Sequence, residues 1–198
     1  LVDALGPESG PFARQPRRFD GGGGAVFCLA SLPLSDAGPH ARRVLVSGGG
    51  ESGAGTIKVW RLGSAADLGP LPQSSATDAF DASESAVAER ALLSNVLAGH
   101  SHMVFALSAV GLDGVLASSS MDTTVRLWDV SNGTCLNVLQ GHTGGVYCLA
   151  ALPSRWPGTF ASGSDDKTVR IWVAQRAGGG CGGELRCRCV SVIASDGE

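Results

Sequence analysis

The chain has 198 residues, 43% of them apolar, with 29 glycines and a formal net charge of −3. That apolar share excludes a disordered chain, and the length allows one sizeable core or two small ones. A pI near 5.8 argues against a general binder of nucleic acid or anionic membrane, which shows a basic face, and no run of 18 apolar residues suggests a helical membrane span. The short arginine clusters (Arg14, Arg17, Arg18; Arg42, Arg43) read as solvated surface.

Taken in chain order, the predicted elements are strands that recur. AVFCLASLP (25–33) returns as MVFALSAVG (103–111) and again as GVYCLAALP (145–153). TIKVWRL (56–62) returns within ASSSMDTTVRLWDV (117–130) and ASGSDDKTVRIWVA (161–174). LSNVLAGH (93–100) returns as LNVLQGH (136–142). Trp128 and Trp172 are 44 residues apart and His100 and His142 are 42 apart, so one unit occupies about that length. Within it the runs are short, rich in Val, Ile, Thr and Trp, and alternate apolar with polar residues. The second unit predicts strands near 103–109, 114–119, 124–129 and 134–139. Asn132-Gly133 marks a hairpin turn, a better account of Asn132-Gly133-Thr134 than a glycosylation sequon.

Several patterns invite a chemical interpretation. Ser162, His142 and Asp166 are the parts of a hydrolase triad, and Asp165-Asp166 is a paired carboxylate. The set occurs twice, with four residues from Ser to Asp and six from Asp to Trp in both copies. Repetition suits a structural brace rather than a single active site, and no G-x-S-x-G surrounds the serine. Met121 occupies the place of Asp165 in the other copy. Gly48, Gly50 and Gly53 satisfy G-x-G-x-x-G, but a strand-like run follows instead of a helix. Cys181, Cys187 and Cys189 lack paired C-x2-C spacing and a following His, so no metal site is expected. Cys28, Cys135 and Cys148 lie in strand-like runs as small hydrophobes. Free thiols fit a reducing compartment, hence a cytoplasmic or nuclear protein.

Four short antiparallel strands per unit, with Gly-His ahead and Trp-Asp behind, resemble the WD40 family of β-propellers. The residues that carry the resemblance are Gly99-His100 with Trp128-Asp129, and Gly141-His142 with Trp172. The resemblance implies an all-β fold of WD40-type propeller blades in an incomplete ring of about three. Blade 1 would span 22–98, blade 2 99–140 and blade 3 141–193, with a tail at 194–198. Residues 1–21 would include the last strand of a preceding blade, within PFARQPRRF (11–19). The resemblance also implies a buried hydrogen-bond brace, His100, Ser118, Asp122 and Trp128 in one blade and His142, Ser162, Asp166 and Trp172 in the next. Blade 1 is degenerate, with Gly22 in place of the histidine and Ala54 in place of the aspartate. It also carries an acidic insertion at 62–89, within which residues 78–90 suggest a short helix. A glycine-rich loop at 174–184 takes the same place in blade 3.

A start at Leu1 and only three blades suggest part of a larger ring. The expected function is a non-catalytic protein–protein interaction scaffold, with other proteins or peptides as partners. Neither a cofactor nor a small-molecule substrate, membrane or nucleic acid is expected. Candidate contact residues are Trp156, Arg155, His102 and Met121. By family analogy alone such a module serves as the recognition part of a ubiquitin ligase or of a signalling complex.

Overall fold

A computed structural model describes residues 24–34, 42–51, 54–63, 90–152, 155–177 and 183–194. Twelve strands and no helix are found among the described residues. Sheet 1 contains β1 (Ala25–Leu34), β2 (Arg42–Glu51), β3 (Ala54–Gly63) and β4 (Arg90–Ala98). Sheet 2 contains β5 (Val104–Ala109), β6 (Val115–Ser120), β7 (Val125–Asp129) and β8 (Thr134–Leu139). Sheet 3 contains β9 (Val146–Ala151), β10 (Thr159–Ser164), β11 (Thr168–Arg176) and β12 (Leu185–Ala194). Each is a four-stranded antiparallel meander in sequence order. The all-β, propeller-type fold expected from the sequence is therefore observed, the described residues forming an open array of three blades rather than a closed ring.

β3 continues through Leu62 and Gly63, and β11 continues to Arg176, so both flanking loops begin later than the sequence suggested. Residues 1–23, the bulk of the insertion (64–89), the 78–89 part of the suggested helix, and Cys181 lie outside the described residues. Arg90, the last residue of that suggested helix, belongs to β4.

Alternation along each strand divides the core into two layers, each between neighbouring sheets. Leu116 lies opposite Trp128 and Ser118 opposite Arg126, on the side of sheet 2 that meets sheet 1. There Leu116, Trp128, Val104 and Val130 pack on Val44, Val46, Ile57, Val59 and Leu97. The other side carries Val115, Ala117, Val125, Leu127 and Leu139, packed on Val146, Phe160, Trp172, Ala174 and Leu185 of sheet 3. Burying each such Val or Leu stabilises by roughly 1.5–3 kcal/mol, so each sheet depends on its neighbour rather than on a shared centre. Edge strands β1, β5 and β9 lie side by side along one margin.

Cys135 and Cys148 depart from the expectation of buried small hydrophobes, since both are exposed. Cys148 sits on β9, on the face of sheet 3 turned away from sheet 2, and is covered by no further sheet among the described residues.

Candidate functional site

The β6–β7 turn of sheet 2 brings an aspartate back beneath the loop that enters β5. Thr123 adopts a positive φ of 69° there, and Lys167 one of 62° in the matching turn of sheet 3. Such turns hold because the aspartate binds its own backbone two residues on. Asp122 Oδ1 accepts from Thr124 N at 3.0 Å and from Thr124 Oγ1 at 2.6 Å. Its other oxygen, Oδ2, accepts from Ser101 N at 3.1 Å and lies 2.7 Å from His100 Nδ1. His100 Nε2 lies 2.7 Å from Ser118 Oγ, which accepts from Trp128 Nε1 at 2.7 Å.

Sheet 3 repeats the set. His142 Nδ1 stands 2.8 Å from Asp166 Oδ2 and His142 Nε2 stands 2.8 Å from Ser162 Oγ, which accepts from Trp172 Nε1 at 2.8 Å. Thr143 N and Thr168 N donate to the Asp166 carboxylate at 3.0 and 2.9 Å. The structure thus brings all eight of these residues into two superposable chains. In sheet 1 only the last link is present among the described residues, Trp60 Nε1 donating to Ser47 Oγ at 3.0 Å.

Donor and acceptor counting limits where the protons lie. An indole N–H only donates and an ionised carboxylate only accepts. The serine oxygen receives the indole N–H and pairs with His Nε2, and His Nδ1–H goes to the aspartate. Every polar atom of the chain is paired in this way. Burial alone raises the Asp122 pKa. Hydrogen bonds from His100 and Thr124 outweigh it and hold the carboxyl well below the usual range. Asp166 is depressed likewise, with desolvation opposed by Thr168, His142 and the Thr143 amide.

The link order Asp–His–Ser is that of a hydrolytic triad, but the serine is differently placed. Ser118 is 0% exposed and Ser162 1%. A nucleophile must reach its substrate, and these oxygens are sealed on the inner face of a sheet junction.

The glycine before each histidine has its own reason. A side-chain carbon on Gly141 would stand 2.7 Å from Arg170 Nη1, and on Gly99 2.6 Å from Arg126 Nη1. The guanidinium groups lie against these glycines, and their buried Nε atoms have no hydrogen-bond partner among the described residues.

The four expected contact residues separate into two groups at opposite ends of the strands. His102 and Met121 flank the β6–β7 turn end, where the His102 carbonyl accepts from Ser120 Oγ at 2.9 Å and Met121 N donates to the Met103 carbonyl at 3.0 Å. Arg155 and Trp156 lie in the β9–β10 connection at the other end, with the guanidinium 4.5 Å above the exposed indole ring.

Sequence reasoning missed an aromatic row. Phe27, Phe105 and Tyr147 follow the first valine of β1, β5 and β9. Ring centroids are 5.6 Å apart for Phe27–Phe105 and 4.9 Å for Phe105–Tyr147. Tyr147 Oη donates to Met121 Sδ at 3.6 Å, so Met121 joins the row. The signal was available: aligning the three repeats puts an aromatic at one position in each.

The comparisons with known proteins agree with this construction. The family model for the WD domain, G-beta repeat (WD40) matches residues 92–129 and 133–173. Mitochondrial division protein 1 of Aspergillus clavatus is 36% identical over 78 residues, 39% of this chain and 11% of that protein. Nuclear distribution protein PAC1 of Arthroderma benhamiae is 38% identical over 85 residues, 38% of this chain and 18% of that protein. Mitogen-activated protein kinase kinase kinase A of Dictyostelium discoideum is 41% identical over 51 residues, 25% of this chain and 5% of that protein. The similarity to these relatives thus spans less than a fifth of their length. The segments matched by the family model cover sheet 2 and the two braces, so this part of the chain carries two repeats of the WD40 type.

Proposed function

We propose that this chain is a non-catalytic scaffold that binds another protein or peptide at the β6–β7 turn end of its blades. The observation that carries this reading is the row Phe27–Phe105–Tyr147 with Met121, which crosses three sheets. Phe27, Tyr147 and Met121 are each 42–47% exposed. A contiguous apolar strip of aromatic and methionine side chains, rimmed by polar turns, is the composition of a binding patch rather than of ordinary surface. Rigid strands hold the rings, so little side-chain entropy opposes binding. The sealed serines favour a scaffold over a hydrolase. A place in a signalling assembly of the cytoplasm or nucleus is the finer proposal. It is supported by the similarity of one segment to a kinase of a mitogen-activated cascade and by the free thiols of the described cysteines.

The test places a photo-crosslinking phenylalanine analogue at position 147. A defined protein band is expected on irradiation in an extract, and Met121→Asp should abolish it without changing the melting midpoint. If no band forms, or if it survives both Met121→Asp and Phe27→Asp, the reading fails.

A further inference from the structure

The first and second sheets meet through a hollow and two knobs. The hollow is made by Cys28 and, directly across the strands, Gly48. A side-chain carbon on Gly48 would stand 2.7 Å from Cys28 Sγ, 3.0 Å from Val104 Cγ1 and 3.2 Å from Leu107 Cδ1. Val104 and Leu107 therefore fill the space that the glycine leaves, and Cys28 Sγ reaches within 3.8 Å of the Val104 carbonyl.

Both halves of that contact recur on this chain without a partner among the described residues. Cys148 lies directly across from Gly163 on the exposed face of sheet 3. A side-chain carbon on Gly163 would meet Cys148 Sγ at 2.6 Å and no other described atom within 4 Å. The hollow has the same two residues and is empty. At the opposite end, Val26 and Leu29 hold the β1 positions that Val104 and Leu107 hold in β5. They are 63% and 62% exposed, whereas Val104 is fully buried. Around the hollow, Val169 and Ile193 are cross-strand partners, as Val125 and Leu139 are in sheet 2. The sheet 2 pair is covered by sheet 3, while Val169 and Ile193 are 39% and 54% exposed.

We propose that a second copy of this chain docks head to tail on the exposed face of sheet 3, seating its Val26 and Leu29 in the Cys148–Gly163 hollow. The contact reproduces the Cys–Gly hollow and the Val–Leu knobs of the junction between sheets 1 and 2. It is heterologous, so each copy offers one hollow and one pair of knobs. If the rotation closes, two copies give about six blades, within the 4–8 range that propellers use.

The test is sedimentation equilibrium of the 198-residue chain, with disulfide capture alongside. A concentration-dependent species of twice the 20.1 kDa chain mass is expected. Leu29→Asp changes a side chain already on the surface, so it should leave the circular dichroism unaltered. It should weaken the association at least about 100-fold, because a carboxylate would be buried unpaired. Under mild oxidation a Val26→Cys chain should form a linked dimer with the native Cys148, and Cys148→Ser should remove it. A single-chain mass at about 100 µM, well above a micromolar Kd, overturns the proposal. So does a dimer indifferent to Leu29→Asp that fails to link, or a monomeric chain whose hollow accepts a blade only from a different protein.

Discussion

Ser118→Ala is the sharpest probe of the brace, because one oxygen holds two partners. Removing it strands the Trp128 indole N–H and the His100 Nε2. Trp128 is 1% exposed and His100 5%, so water cannot replace the serine without opening the junction between sheets 1 and 2. A buried polar atom left unpaired costs about 1–3 kcal/mol. Two of them, with little volume change from Ser to Ala, give an expected loss of about 2–5 kcal/mol. Ser47→Ala in sheet 1 is the internal control. There the serine serves only the half-buried Trp60 among the described links, and the expected loss is about 1 kcal/mol. Urea unfolding followed by tryptophan fluorescence reads both. With a slope of about 2 kcal/mol per molar urea, Ser118→Ala should lower the midpoint by roughly 1–2.5 M and Ser47→Ala by about 0.5 M. Equal shifts for the two variants, or a Ser118→Ala shift below about 0.3 M, would refute the count of hydrogen bonds on which the brace rests.

Three further outcomes are expected. The carboxyls of Asp122 and Asp166 have folded-state pKa values below their ordinary ones, so their contribution is complete above about pH 5 and is lost as pH falls through and below the usual carboxylate range. Asp166→Asn should therefore flatten the acid limb of stability against pH while lowering stability at pH 7 by about 2–3 kcal/mol, measured by thermal melts from pH 7 to 2.5. Gly141→Ala should cost about 2 kcal/mol, because φ is +143° and Arg170 occupies the space. Pairing it with Arg170→Ala should recover only part of the loss by urea titration, since the backbone strain stays. A fluorophosphonate probe should leave Ser118 and Ser162 unlabelled in folded protein by peptide mass spectrometry, and labelling of either would restore the hydrolase alternative.

Much of the fold was legible before any coordinates. Strand alternation, Asn132-Gly133 and the 42–44 residue recurrence are local or periodic properties, and they led to four-stranded units with little ambiguity. The brace was legible for a related reason. The resemblance to WD40 repeats named its residues, and identical Ser–Asp–Trp spacing in two units agreed with one local geometry built twice. Cys148 was not legible, because GVYCLAALP has the same character as MVFALSAVG, which the other two sheets flank. Nor was the separation of Met121 from Trp156 to opposite ends, although both lie in connections rich in turn residues.

By itself, then, the sequence determined that the chain is built of repeated strand units and how the strands pair within a unit. These depend on contacts close along the chain. Tertiary structure alone decided which faces are covered and which side chains from different units meet. Val26 and Val104 occupy the same place in their strands, yet one is 63% exposed and the other fully buried, because among the described residues only the second has a neighbouring sheet against it. Phe27, Phe105 and Tyr147 are each unremarkable alone and become a surface only when three edge strands lie side by side. Burial of a sheet face is a property of the pair of sheets, and no periodicity within one of them can record it.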